Sequence, residues 1–249
     1  MKRTNILVAM TIALATAVGI SSCGNKQEKA GPVGTPIGDG VFLIEKTAED
    51  GTKTCQIADS TGYSIGDEYQ SVEAEANYLI GTKANGEKDL MNLKGRAFAH
   101  CTEFTVMPYY ATSEAAPEGK FIKTNVGNGN HLAFDLKTYD KLIGVEGLKE
   151  DVLALDNGFA IYKLKGLWGI AKGEAEEPIH ANDAKEITVI TDKNGKLYFW
   201  INTAGGAGLI NEKGDAVKSM SAAQIKAVKK NAKKLWEEGP ISAIVVKTI

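Results

Sequence analysis

The 249-residue chain has three cysteines and three histidines. No two cysteines stand as Cys-x-x-Cys, which removes a thiol redox motif and the usual zinc spacing. The histidines, His100, His131 and His180, show none of the clustering that a metal with several close ligands needs. There is no Gly-x-Ser-x-Gly, no His-Glu-x-x-His, no phosphate-binding loop and no Asp-rich twelve-residue calcium loop. "GNGN" at Gly127 to Asn130 reads as a turn, since no helix start follows it. Carboxylates are plentiful, yet no pair stands out in the sequence as a general acid and base; only the fold brings distant ones together. The net charge of −2 removes general attraction of the whole chain to nucleic acid or anionic lipid. The expectation is a chain without catalytic residues, metal or cofactor.

What is present begins at the N-terminus. Lys2 and Arg3 precede an apolar run from Ile6 to Ile20, too short for a spanning helix of about 20 residues. Small residues and Cys23 follow in "ISSC", Ile20 to Cys23, which reads as the end of a secretory signal. The segment resembles a bacterial lipobox. That resemblance implies that residues 1–22 are removed, that Cys23 is lipidated, and that the chain is anchored to a membrane of the cell envelope, the outer membrane, without spanning it. Residues 23–40, rich in Gly, Pro and charge, read as a tether. Its "KQEK" reads as a generic solvated linker or resembles surface-export signals of Bacteroidetes lipoproteins, which leaves the periplasmic or outward face open. Without the first 22 residues the chain keeps 27 basic and 31 acidic residues, a net charge of −4. Cys55 and Cys101 lie 46 residues apart. An oxidising envelope permits a disulfide between them; two small buried apolar residues is the other reading.

Residues 41–220 repeat. An apolar, β-prone start recurs as "FLIEKT" at Phe42, "YLIGTK" at Tyr78, "FIKTNV" at Phe121, "FAIYKL" at Phe159 and "LYFWIN" at Leu197. Each is followed by a glycine turn, among them Asn128-Gly129 and Lys165-Gly166, and then by a second strand. Shorter apolar segments complete the unit, and four units add a last polar–apolar stretch such as "EYQSVE" or "KEITVI". "GLWGIAKG" is the second strand of the fourth unit. With Gly166, Trp168, Gly169 and Ile170 it is similar to the signature of the WG repeat; the fifth unit keeps the frame with Ala207 in place of the tryptophan. The resemblance implies a WG-repeat lipoprotein in which Trp168 buries its ring between units and Gly169 lets a neighbour approach the backbone.

The end of the chain differs. Residues 221–249 predict a helix from Ser221 to Glu238, with Ser221 and Gln224 as a capping box and Met220 and Ile225 as a staple, then a final strand, "ISAIVVKTI". The strand is expected to pair with the first unit and cover its edge. Lys226, Lys229, Lys230, Lys233 and Lys234 line the outer helix face, either as a solvated surface or as a contact for an acidic partner or lipid head groups.

The expected fold is all-β: five short antiparallel repeats in a propeller-like ring, or alternatively an open β-solenoid, with one C-terminal helix. The expected function is non-catalytic binding of a protein or glycan by an envelope lipoprotein. The alternative is a glycan-active enzyme using carboxylates from different repeats; Tyr109, Tyr110 and Trp200 would favour binding if exposed, with core positions as the other reading of them.

Overall fold

The computed structural model describes residues 34–247. The signal-like segment and the lipidation residue Cys23 lie outside them. The fold is all-β with one short helix, as the repeat pattern indicates.

The first sheet is an antiparallel meander of β1 (Thr35–Pro36), β2 (Val41–Thr47), β3 (Lys53–Asp59) and β4 (Ser64–Tyr69). It begins inside the stretch read as tether, where Thr35 and Pro36 pair with Leu43 and Phe42. The second holds β5 (Ser71–Ala74), β6 (Leu79–Thr82), β7 (Lys88–Met91) and β8 (Ala97–Cys101). The third has β9 (Glu103–Pro108), β10 (Lys120–Asn125) and β11 (His131–Asp135). Bridges from Lys141 to Phe134 and from Lys149 to His131 give it a ragged fourth edge. The rest is one nine-stranded sheet. It runs through β12 (Asp151–Ala154), β13 (Phe159–Leu164), β14 (Leu167–Lys172), β15 (His180–Asp192), β16 (Leu197–Thr203), β17 (Gly206–Asn211) and β18 (Ala216–Ser219). Helix α1 (Ala222–Lys230), β19 (Lys233–Glu238) and β20 (Ile241–Val246) follow.

The repeat of the sequence and the sheet of the structure are offset by one strand. Phe42, Phe121, Phe159 and Leu197 lie in β2, β10, β13 and β16, the second strand of each sheet or sheet segment, and Tyr78 immediately precedes β6. The closing stretch of one sequence unit forms the opening strand of the next sheet: β5, β9, β12 and the second half of β15. Consecutive sheets are thereby tied covalently through a strand. At β15 the tie becomes complete. Its first half pairs with β14 and its second half with β16, so the fourth and fifth units share one strand. Nothing in "HANDAKEITVITD" breaks it; a register shift near Ala184 accommodates the change of partner.

Packing is serial, each sheet sharing a core with the next. Neighbouring residues on one strand point to opposite faces, and here each face has its own core. Leu79 and Met91 pack towards the first sheet with Val41, Ile57 and Tyr69, while Ile80 and Leu90 pack towards the third with Ile122 and Phe134. Phe121 and Ala133 meet Val152, Ala160 and Tyr162 of the fourth unit. Phe159, Ile161, Trp168 and Ile170 meet Ile187, Val189 and Phe199 of the fifth and Ile241 of the final strand. Tyr198, Trp200, Leu209 and Ile244 are covered by Met220 and Ile225 of the helix segment. No cluster among the described residues joins the first sheet to the last.

Two expectations about the C-terminus are corrected. The helix ends at Lys230 with Asn231 as its cap, and Lys233–Glu238 is a strand instead. The helical spacing is overridden because β19 pairs with β20 and lays Leu235 and Trp236 on the core. The final strand does not reach the first unit. It lies parallel to β15, with Ile187 opposite Ile241, and antiparallel to β19.

The Trp-Gly pattern of the fourth unit is explained by contacts. Lys165 and Gly166 both have positive φ, 54° and 79°, the primed turn that matches strand twist. Trp168 is 7% exposed and lies between the fourth and fifth units. Gly169 is opposite Tyr162, and a Cβ there would lie 2.5 Å from the tyrosine ring. A Cβ on Gly81 would also lie 2.5 Å from a tyrosine ring, but there the ring, Tyr69, comes from the neighbouring sheet.

Candidate functional site

The strand ends of the third and fourth units enclose a cleft of about 600 Å³. Tyr109 follows β9, Glu118 precedes β10, and Asp135, Thr138, Asp140 and Lys141 come from the end of β11 and its turn. Leu155 and Asp156 follow β12, and Gly173 and Glu174 follow β14. Two further hollows of about 530 and 390 Å³ share residues with it. One shares Tyr109, Glu118 and Asp135 and extends to Asn77; the other shares Asp140, Lys141 and Glu174 and extends to Asn92 and Arg96. Together they make a trough across three consecutive units.

Asp135 organises its centre. Its Oδ1 accepts the amide hydrogens of Lys137 and Thr138, each at 2.7 Å, and its Oδ2 accepts the Tyr109 hydroxyl at 2.5 Å. Burial raises the Asp135 pKa, but the bonds from Tyr109 and the two amides outweigh it and hold the carboxyl below its usual value. Burial and the neighbouring carboxylate push the Tyr109 phenol well above its own. Asp156 is also tied down, accepting the Thr112 amide at 3.1 Å and hydroxyl at 2.6 Å. Glu118, Asp140 and Glu174 make no ion pair among the described residues and are the carboxylates available to a ligand.

Lys141 and Leu142, on one wall, open a segment that runs on to Lys149 behind the cleft lining. The Gly144 amide donates to Gly173 O at 3.0 Å, and a Cβ on Gly144 would lie 2.0 Å from Glu174 O. Lys149 holds the segment from inside. It is buried, and its Nζ donates to the carbonyls of Val145, Glu146 and Gly147 at 2.7, 2.9 and 2.5 Å.

The histidines are placed apart. His100 Nδ1 is 2.6 Å from Asp89 Oδ1 at the second sheet, and His180 Nε2 is 2.7 Å from Asp183 Oδ1 at the fourth. Buried Asp89 also accepts the Tyr69 hydroxyl at 3.0 Å, and Lys83 lies 3.1 Å from it and 2.8 Å from Asp67. This is a polar joint between the first and second sheets. No group of three or more His, Cys, Asp or Glu among the described residues is placed to hold a metal. The disulfide that the sequence permitted is not formed: Cys55 is on β3 of the first sheet, and Cys101, at the end of β8, is buried in the core towards the third sheet. Burial pushes the Cys101 thiol up to about 11.

The three aromatics singled out from the sequence separate. Only Tyr109 lines the cleft. Tyr110 packs edge-on to Trp236, with ring centres 4.9 Å apart. Trp200 is buried and donates its indole hydrogen to Met220 O at 3.0 Å. The repeat signature residues are structural, and none lines the cleft. Asp140 and Glu174 escaped sequence reading because they lie in turns of different units and share no spacing.

No family model matches the chain, and no curated protein matches it. The solved structures similar to the chain include the following three. The computationally designed Ika8 protein is 12% identical over 76% of this chain and 63% of that one, with a TM-score of 0.27. The WD40 β-propeller domain of Doa1 is 10% identical over 73% and 64%, with a TM-score of 0.29. BamB from Moraxella catarrhalis is 10% identical over 78% and 76%, with a TM-score of 0.21. The chain spans a little under two thirds of the first two. At these values none of the three assigns a site or a ligand here.

Proposed function

We propose that the chain is an envelope lipoprotein, lipidated at Cys23 and resembling WG-repeat proteins, whose β-repeat domain binds an extended protein segment or glycan without transforming it. The observation that supports binding is the trough itself. It crosses three units, offers the carboxylates of Glu118, Asp140 and Glu174, and has Lys141 and Arg96 beside them. A line of hydrogen-bond acceptors with interspersed cations suits a chain-like ligand bearing amines or hydroxyls. Titration of envelope glycan fragments and of lysine-rich peptides against the protein tests this. Saturable binding of one class, weakened at least tenfold in an Asp140→Asn/Glu174→Gln variant, is expected. Absence of saturable binding, or indifference to the double change, would overturn it.

A second reading has one observation in its favour: carboxylates of the third and fourth units line a single cleft, as a glycan-cleaving pair would require. Such a pair needs one carboxylic acid with a raised pKa. Asp135, the most enclosed of the set by its bonds, is displaced the opposite way. Release of reducing ends from a bound glycan, abolished by the double variant, would favour the enzyme.

Anchoring is tested separately. The Cys23→Ala chain should leave the membrane fraction for the soluble one; full retention in the membrane would refute lipidation there.

A further inference from the structure

Charge is segregated along the series of sheets. Residues 34–192 carry 15 basic and 26 acidic side chains, a net −11. Residues 193–247 carry ten lysines and four acids, a net +6. The asymmetry is sharpest at the terminal cap. "AVKSMSAAQIKAVKKNAKK", residues 216–234, has six lysines and no acid. An acid in the first turn of α1 would favour the helix dipole, and none is there.

The cap buries Ile225 on the last core, next to Trp200 and Leu209, and turns its other face outward. Part of its charge is used internally. Lys229 binds Glu186 at 3.0 Å, Lys233 binds Glu114 at 2.7 Å, and Lys234 pairs with Glu237. Lys218, Lys226 and Lys230 are exposed and make no ion pair among the described residues. Lys218 is directly opposite Leu209 in the β17–β18 ladder, hence on the sheet face that α1 covers, and Lys226 and Lys230 are one turn apart on α1. Ala222, Ala223 and Ala227 of the same helix are exposed as well. Capping an array requires a polar outer face; either sign of charge would serve. A patch of one sign does more than solvate.

We infer that this face docks on an anionic bilayer surface, through phosphate head groups. The apolar side of α1 is spent on the core, so the contact is electrostatic and no helix inserts. An anionic surface attracts the terminal unit and repels the acidic remainder, so it orients the domain as well as retaining it. The trough, built on units two to four, is carried in the repelled part.

The test uses the domain from Gly31 onward, whose five core clusters are all internal to it. Lipidation at Cys23 therefore plays no part in the result. Co-sedimentation is measured with phosphatidylcholine vesicles, with and without 30% phosphatidylglycerol, at low and high salt. Binding only to the anionic vesicles, lost at high salt and reduced on the order of a hundredfold in Lys218→Glu/Lys226→Glu/Lys230→Glu, is expected. An unchanged melting curve of the triple variant keeps the loss attributable to charge. No partition onto anionic vesicles, equal partition onto neutral ones, or full binding by the triple variant overturns the inference. So does capture of polyglutamate under conditions where the vesicles stay free, which would make the face a site for an acidic protein.

Discussion

At the residue scale, Trp168 and Gly169 do separate work. Trp168 fills space between the fourth and fifth units, and Trp168→Ala should cost about 3–5 kcal/mol by thermal or denaturant melting. Gly169 vacates space for Tyr162. Gly169→Ala should cost about 1–3 kcal/mol from overpacking, and less in a Tyr162→Leu background, where the ring is gone. An additive double mutant would show that the ring is not the obstacle. Asp135 allows a pH prediction. Its pKa is lowered in the fold, so its contribution to stability is complete above the unfolded carboxyl value of about 3.9 and is lost as pH falls through the lower folded value. Tyr109→Phe removes one of the donors, so the folded value rises and acid unfolding should begin at a higher pH.

Among the elements, β15 is decisive. Between Ile187 and Thr191 it is paired on both sides, with β16 and with β20, and both of its faces are buried in separate cores. Its amides should be the slowest to exchange with deuterium in the whole domain; faster exchange there than in β2 and β3 would refute this order. The helix is held by its ends and one buried residue. Ser221 and Gln224 make the reciprocal capping box, and Ser221→Ala should cost about 1 kcal/mol in a melting measurement. The helix was legible to Lys230 because cap, staple and period agreed. β19 was not, because Leu235 and Trp236 satisfy a helical spacing equally well and only pairing with β20 decides between them.

For the whole molecule, serial packing makes stability uneven. The first sheet shares one core with its neighbour, whereas the last two units and the C-terminal segment form a continuous sheet that holds Trp168, Trp200 and Trp236. Tryptophan fluorescence therefore reports only the C-terminal half. In a denaturant titration, loss of far-ultraviolet circular dichroism should precede the fluorescence change, as nearest-neighbour arrays allow. Coincident curves would mean that the units melt as one.

Local chemistry was sufficient for the strands, the glycine turns, the fivefold period and the capped helix. Each depends on residues close in sequence, on alternation, positive φ or a side chain reaching three positions along the chain. The offset between repeat and sheet, the strand shared by units four and five, the unbonded cysteines and the trough were decided only in three dimensions. They depend on which edges pair and which loops meet, and partners such as Asp140 and Glu174, or Ile187 and Ile241, leave no mark on the spacing between them.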